Sequence, residues 1–285
     1  MAYVSKEAMV ETFLDTVEFY ETDEFLREAV QASIRGTVFY DAETYPPLPA
    51  QKKFAKTAVS VVRKRTFEAA LFFQRKHLES RIAVHNFASA TNPGGGVKLG
   101  SRAQEEALCR CSTLYPVLNT DENFLRYYKV NRKRQNALYS DACIYSPEIV
   151  VCKSDVDKPA RLPREKWMTV DVMTIAAPNL RERPNNACNV GNDNPARISD
   201  EELFALHEKR LRHMFTVLAH HGAEIFVTGA FGCGAFQNNP EVVAQAYKKI
   251  LPEFDGYFKE IVFAIYCKPR ELTNLEAFKK ILGTT

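Results

Sequence analysis

The stretch NFASATNPGGGVKLGSRAQEEALCR (residues 86–110) holds two adjacent carboxylates, Glu105 and Glu106, with eight residues between them and the triplet Gly94-Gly95-Gly96. Three glycines in a row strip the loop of Cβ atoms, which permits positive φ and lets a ligand approach bare backbone N–H groups. A second stretch, VTGAFGCGAFQNNPEVV (227–243), carries Gly229, Gly232 and Gly234 with Phe231 and Phe236 among them. Glycine-rich turns from strand to helix bind phosphate through oriented N–H groups and the positive helix end, and an aromatic ring beside such a turn can cover a sugar or base. Neither loop is a Walker A sequence, because Gly95 and Gly100 are followed by Ser101 where Lys is required, and G-x-G-x-x-G is absent. Plainer readings exist: a tight Pro-Gly-Gly-Gly connection, glutamates that only complement a helix dipole, and phenylalanines that belong to the core. Two glycine loops, an acid pair and flanking aromatics together point to a phosphorylated sugar or nucleotide.

The elements around these loops alternate. Apolar runs at 81–88, 141–152, 167–177, 223–229 and 260–266 read as strands, with helical stretches between most of them. This pattern predicts an α/β fold with a mainly parallel or mixed sheet covered on both faces. Residues 4–35 and 66–80 have helical spacing, so residues 1–80 are expected to be mainly helical, an extension before an α/β core at 81–285 within a single domain. Ser101 and Gln104 have capping-box spacing, which puts Gln104, Glu105 and Glu106 in a first helical turn. Consecutive helical residues diverge by about 100°, so the two glutamates cannot do the same work. Ser199 with Glu202 predicts a second capping box, Gly222 a helix stop, and Asn239 with Pro240 a further helix start.

Composition excludes several classes. Over 285 residues, 46% hydrophobic and 26% charged side chains describe an ordinary globular chain, able to bury about three quarters of its unfolded surface. The net charge of +3 gives no overall case for a nucleic-acid or membrane partner. KKFAK (52–56), RKR (63–65) and NRKR (131–134) are locally basic, either solvated faces or a rim that attracts a polyanion. Seven cysteines without a C-x-x-C pair read as free thiols in a reducing compartment. The six histidines have no ligand spacing; His220 and His221 fall at a predicted helix C-terminus, where cations are favoured. The acidic N-terminus has no apolar signal region, and no apolar run approaches the ~20 residues of a membrane span. An intracellular location is expected, cytoplasmic, or nuclear in a eukaryote.

The string Gly94-Gly95-Gly96, seven residues, then Gln104-Glu105-Glu106 resembles the signature of poly(ADP-ribose) glycohydrolases. Its surroundings, NFASATNPGGG and TGAFGCGAF, are similar to the short microbial-type members, whose core is a macrodomain. The resemblance spans about residues 80–270, after helical residues such as those members also have. It implies a macrodomain-like mixed sheet flanked by helices. It further implies Glu106 as catalytic acid, Glu105 as binder of the ribose beside the scissile bond, and residues 229–236 as a pyrophosphate cradle. The ligand-binding residues it implies are Ser89, Gly94, Gly95, Gly96, Val97 and Gln104 from the first loop and Gly229, Ala230, Phe231, Gly232, Cys233, Gly234, Ala235 and Phe236 from the second. Asn86 and Ser89 depart from the family, standing where larger animal relatives have Asp and Asn.

The chemistry implied is hydrolysis of an O-glycosidic ribose–ribose bond, in which the leaving oxygen needs a proton and the anomeric carbon a water. Such a scheme requires no metal and no cofactor. The helix N-terminus favours an ionised Glu106, whereas burial, Glu105 and the substrate pyrophosphate oppose it. Expected partners are poly(ADP-ribose) and ADP-ribosylated proteins as substrate and ADP-ribose as product, with no nucleic acid or membrane, and the protein itself is expected to be a monomer. Two other functions fit the same loops: a non-catalytic ADP-ribose reader, and a hydrolase of mono-ADP-ribosylated proteins.

Overall fold

The computed structural model describes residues 4–134, 136–191 and 193–283; residues 1–3, 135, 192, 284 and 285 lie outside it. One mixed sheet contains β1 (Val38–Tyr40), β2 (Ala58–Val62), β3 (Ile82–Phe87), β4 (Cys143–Val151), β5 (Met168–Ile175), β6 (Ile225–Thr228) and β7 (Glu260–Ala264) in the order β1-β4-β5-β3-β6-β7-β2. Strands β5, β3, β6, β7 and β2 run parallel, β4 is antiparallel to β5, and β1 is antiparallel to β4. The expected α/β architecture is therefore present. Side chains alternate between two cores: Phe226, Ile261 and Phe263 face one, and Ile225, Val227 and Val262 the other.

The helices are α1 (Lys6–Thr22), α2 (Glu24–Gly36), α3 (Thr66–Lys76), α4 (Gln104–Cys111), the short α5 (Leu114–Leu118), α6 (Asp121–Asn123) and α7 (Lys129–Lys133), then α8 (Asp200–His220), α9 (Pro240–Ile250) and α10 (Thr273–Leu282). On one face lie α8, α9 and α10; on the other, α1, α3, α4 and α5. Helix starts and stops follow local chemistry. The Ser199 hydroxyl accepts from Glu202 N, and the Glu202 carboxylate accepts from Ser199 N. Gly222 ends α8 at φ +73°, and Asn239 caps α9 with Pro240 as its first residue. His221 departs from expectation: it stacks on Tyr145 at 3.7 Å, and burial lowers its pKa to about 4, so it is no cation at the helix end.

Residues 4–80 are helical where the spacing predicts it, in α1, α2 and α3, and they also hold both edges of the sheet. Strand β1 is three residues long and β2 five, and neither alternates clearly between buried and exposed positions. Their membership is decided by the neighbours they pair with rather than by their own pattern. Helix α1 also supports α4: the Thr16 hydroxyl donates to the Arg110 carbonyl at 2.7 Å, and Phe13 packs edge-on against Tyr115 at 5.0 Å. Phe13→Ala should therefore cost about 3–5 kcal/mol, the range for a truncated core phenylalanine. Urea unfolding monitored by circular dichroism checks this; a loss below about 1 kcal/mol would mean that α1 is a loosely attached extension.

Candidate active site

Ligands of open α/β sheets bind beyond the carboxyl ends of the parallel strands. Here those ends line a cleft of about 600 Å³: Lys64–Thr66 after β2, Phe87–Ser89 at β3, Ala177 after β5, residues of 230–236 after β6, and Ala264–Tyr266 at β7. Glu105 and Glu106 line it from the first turn of α4, which is where the sequence places them.

Each carboxyl group is held from a different side. Glu105 Oε2 accepts from Ser89 N at 2.7 Å and its Oε1 from Asn86 Nδ2 at 3.2 Å. Glu106 Oε1 accepts from Gly96 N at 2.8 Å, while its Oε2 is buried without a hydrogen-bond partner among the described residues. Gln104 ties the helix start to the sheet, accepting from Phe87 N at 2.9 Å and donating to His85 O at 2.6 Å. The glutamates are only 2% and 5% exposed. Burial, then the neighbouring Glu106 charge, raises the Glu105 pKa to about 8 against the pull of the Ser89 and Asn86 donors. Burial likewise raises Glu106, opposed by the Gly96 N–H and by the Arg110 guanidinium. The tension visible in the sequence is thus resolved toward the protonated form. A carboxyl group with one pinned and one free oxygen, its pKa raised by burial, is suited to carry a proton to a leaving group.

The two glycine loops have different tasks. In the first, Gly95 N donates to Asn92 O, Val97 N to Gly94 O and Gly96 N to Glu106, so its N–H groups serve the loop and the acid instead of a ligand. Gly95, at φ +58°, allows the close approach: a Cβ there would lie 2.5 Å from Glu106 Oε1. In the second loop, the N–H groups of Gly232, Gly234, Ala235 and Phe236 have no acceptor among the described residues, and all four residues line the cleft. Asn238 holds this loop by donating its Nδ2 to Pro178 O and Phe236 O, and its Oδ1 accepts from His207 Nε2 at 2.7 Å.

Eleven of the expected site residues line the cleft: Ser89, Gly95, Gln104, Glu105, Glu106, Ala230, Phe231, Gly232, Gly234, Ala235 and Phe236. Gly94, Gly96, Val97, Gly229 and Cys233 do not, because they support the two loops from behind. Val97 belongs to the core, and Gly229 lies against the Ala264 carbonyl. Gln104 lines the cleft, but its amide is spent on backbone and on Thr66. Phe231 is fully buried beside His85, as a core phenylalanine, whereas Phe236 is a half-buried wall residue. Ser101 caps nothing: Ala103 is the N-cap, and Ser101 contacts Cys188 Sγ at 3.2 Å while its carbonyl accepts from Arg110. Asn189 and Cys188 form a wall that the sequence reading missed. Asn189 Oδ1 accepts from Ser89 Oγ at 3.0 Å. The asparagine-rich run after β5, at a strand's carboxyl end, was the available signal. Arg132, from the NRKR run, donates to Thr91 O and Asn92 Oδ1 and so braces the first loop from outside.

Two outcomes follow. Gly95→Ala forces φ +58° on a residue with a Cβ and displaces Glu106, and should cost about 1–3 kcal/mol, measurable by denaturant titration. Glu105 is neutral in both folded and unfolded states below its ordinary pKa of 4.5, and its burial then destabilises the fold progressively as pH rises toward about 8. Glu105→Gln should therefore gain thermal stability relative to wild type between pH 5 and 8, by about 2 °C or more in Tm. A Tm difference that stays constant over this range would contradict the raised pKa.

Comparison with known proteins places this geometry. The model of the microbial-type PARG catalytic domain matches residues 11–154. The crystal structure of poly(ADP-ribose) glycohydrolase (PARG) from Thermomonospora curvata is 30% identical, covering 96% of this chain and 99% of that one, with a TM-score of 0.80. The same enzyme bound to the inhibitor ADP-HPD is matched at 29% identity over 96% and 99% of the two chains, TM-score 0.77. Poly(ADP-ribose) glycohydrolase from Deinococcus radiodurans in complex with ADP-ribose is 32% identical over 89% and 96%, TM-score 0.74. No curated protein matches the chain at a significant level. With its acid pair buried at the carboxyl ends of a seven-stranded mixed sheet, the chain belongs to the microbial-type poly(ADP-ribose) glycohydrolase family.

Proposed function

We propose that this protein hydrolyses the O-glycosidic ribose–ribose bonds of poly(ADP-ribose) carried on ADP-ribosylated proteins, releasing ADP-ribose, with Glu106 as general acid and base. The observation that carries the assignment is the asymmetry of Glu106: Oε1 is fixed by Gly96 N, and the unpartnered Oε2 belongs to a carboxyl group raised toward neutrality by burial. Glu106 gives its proton to the leaving ribose oxygen as the bond to the anomeric carbon breaks, leaving an oxocarbenium-like centre. The resulting carboxylate takes a proton from water as the water oxygen bonds to that carbon, which restores neutral Glu106. Glu105, fixed by Ser89 and Asn86, positions the adjacent ribose. The free N–H groups of Gly232, Gly234, Ala235 and Phe236 receive the diphosphate. Four backbone donors suit an anion whose charge does not change during the reaction, and they hold the sugar at a fixed distance from Oε2.

Glu106→Gln keeps the Gly96 bond and removes the exchangeable proton. Polymer hydrolysis should fall by ~10²- to 10⁴-fold, the usual share of general acid–base catalysis, while ADP-ribose affinity changes little. Glu105→Gln should cost ~10²-fold through lost positioning. Turnover of purified poly(ADP-ribose), run beside calorimetric binding of ADP-ribose, is the test. A Glu106→Gln variant that hydrolyses polymer at the wild-type rate would remove Glu106 from the mechanism. Wild-type protein that binds ADP-ribose yet leaves polymer intact would be a reader.

A further inference from the structure

The cleft shares a wall residue, Lys64, with a second groove. At the β2 side its wall is Lys64, Arg65 and Thr66, and Lys64 also opens a groove of about 520 Å³ along the outer face of α3, lined by Glu68, Leu71, Phe72, Arg75 and Lys76. Positions 68, 71, 72, 75 and 76 have helical spacing, so the groove follows one stripe of α3 for about 12 Å, at 1.5 Å per residue from 68 to 76. Thr66, its first residue, is bonded to Gln104 at 3.1 Å, which sets the start of α3 beside the start of the catalytic helix.

The chemistry of this face is cationic and aromatic. Between residues 63 and 76 the chain carries Arg63, Lys64, Arg65, Arg75 and Lys76 against one acid, Glu68. Arg65 is committed to the cleft wall, with its guanidinium over the Tyr266 ring at 4.1 Å and paired to Asp155 and Asp157. Lys64 is bonded to Glu68 at 2.7 Å and lies 5.5 Å over Phe72. Lys76 stands 4.0 Å from Glu260, and Arg75 is exposed. Glu68 and Glu260 offset part of this charge, and an excess of cations remains. Phe72 is 52% exposed, an unusual place for a large aromatic ring and a platform on which a base can stack.

From the continuity of cleft and groove and from this charge we infer that the α3 face is a second subsite for the same polymer, holding the ADP-ribose unit next to the one in the cleft. Its diphosphate lies along Lys64, Arg75 and Lys76, and its adenine stacks on Phe72. The inference rests on the reading of the cleft as the poly(ADP-ribose) site. It makes affinity depend on chain length, because a single ADP-ribose fills the cleft alone.

The test uses the full chain with Glu106→Gln to prevent cleavage. Fluorescence anisotropy measures binding of ADP-ribose and of a three-unit poly(ADP-ribose), at low and moderate salt. The trimer should bind at least about tenfold more tightly than ADP-ribose. Adding Arg75→Glu with Lys76→Glu should remove that advantage and flatten the salt dependence, since lost phosphate contacts lower the salt slope, and Phe72→Ala should lower trimer affinity about tenfold. In each variant ADP-ribose affinity should be unchanged, which also reports that the fold and cleft are intact. Equal binding of trimer and monomer, or full trimer affinity in the charge-reversed variant, would overturn the subsite. So would equal affinity for single-stranded DNA of matched charge, which would make the face a general polyanion surface. Failure of the unaltered groove protein to bind ADP-ribose at all would overturn the reading of the cleft itself.

Discussion

The bond from Gly96 N to Glu106 Oε1 has to form in a place where the carboxyl group is nearly dry, and much of the surrounding structure follows from that requirement. A buried carboxylate is costly, and a second one beside it adds to the cost, as the Glu106 charge does in raising the Glu105 pKa. The protein meets this by burial that raises both pKa values, which favours the protonated forms, and by matching the carboxyl groups with fixed donors. Ser89 N and Asn86 serve Glu105, while Gly96 N and the Arg110 guanidinium, one turn further along α4, serve Glu106. Oε2 of Glu106 is the one carboxyl oxygen of the pair left without a partner among the described residues. A buried polar atom without a partner is ordinarily destabilising, and at this position it is the atom that must be free to exchange a proton.

That arrangement explains why the two glycine loops look alike and act differently. The first loop turns its N–H groups inward, onto itself and onto Glu106, and needs glycine at 95 because a Cβ would collide with the carboxyl group it positions. The second leaves consecutive N–H groups unspent along the cleft, and Asn238 and His207 fix its backbone from behind. Orienting a catalytic group and receiving an anion are separate demands on backbone N–H groups. A given N–H can meet only one of them.

Support for the first loop comes from distant parts of the chain. Gln104 anchors α4 to β3, α1 bonds to the carbonyl end of α4 through Thr16, and Arg132 grips the residues just before the glycines. The N-terminal residues thus belong to the scaffold of the acid pair as well as to the edges of the sheet.

Much of this was legible without coordinates. Strands β3 to β7 are apolar runs because central strands are buried on both faces, and the starts of α8 and α9 follow from Ser199, Glu202, Asn239 and Pro240, whose side chains act on backbone only a few residues away. The position of the two glutamates in a first helical turn, behind a loop that only glycine can form, was equally local. The rest depended on contacts distant in sequence. Strands β1 and β2 are short edge strands, defined by partners about a hundred or more residues away. Ser101 has the spacing of a cap, yet Arg110 and Cys188 draw it elsewhere. Phe231 and Phe236 sit in the same loop, and only packing against His85 or against the cleft separates core from wall. The protonation of Glu106 was undecidable from spacing, because a helix N-terminus and burial act in opposite directions and burial is a property of the folded whole. Local hydrogen bonds and periodicity are written in neighbouring residues; desolvation, and the choice of which N–H meets which carboxylate, exist only once the chain has closed around them.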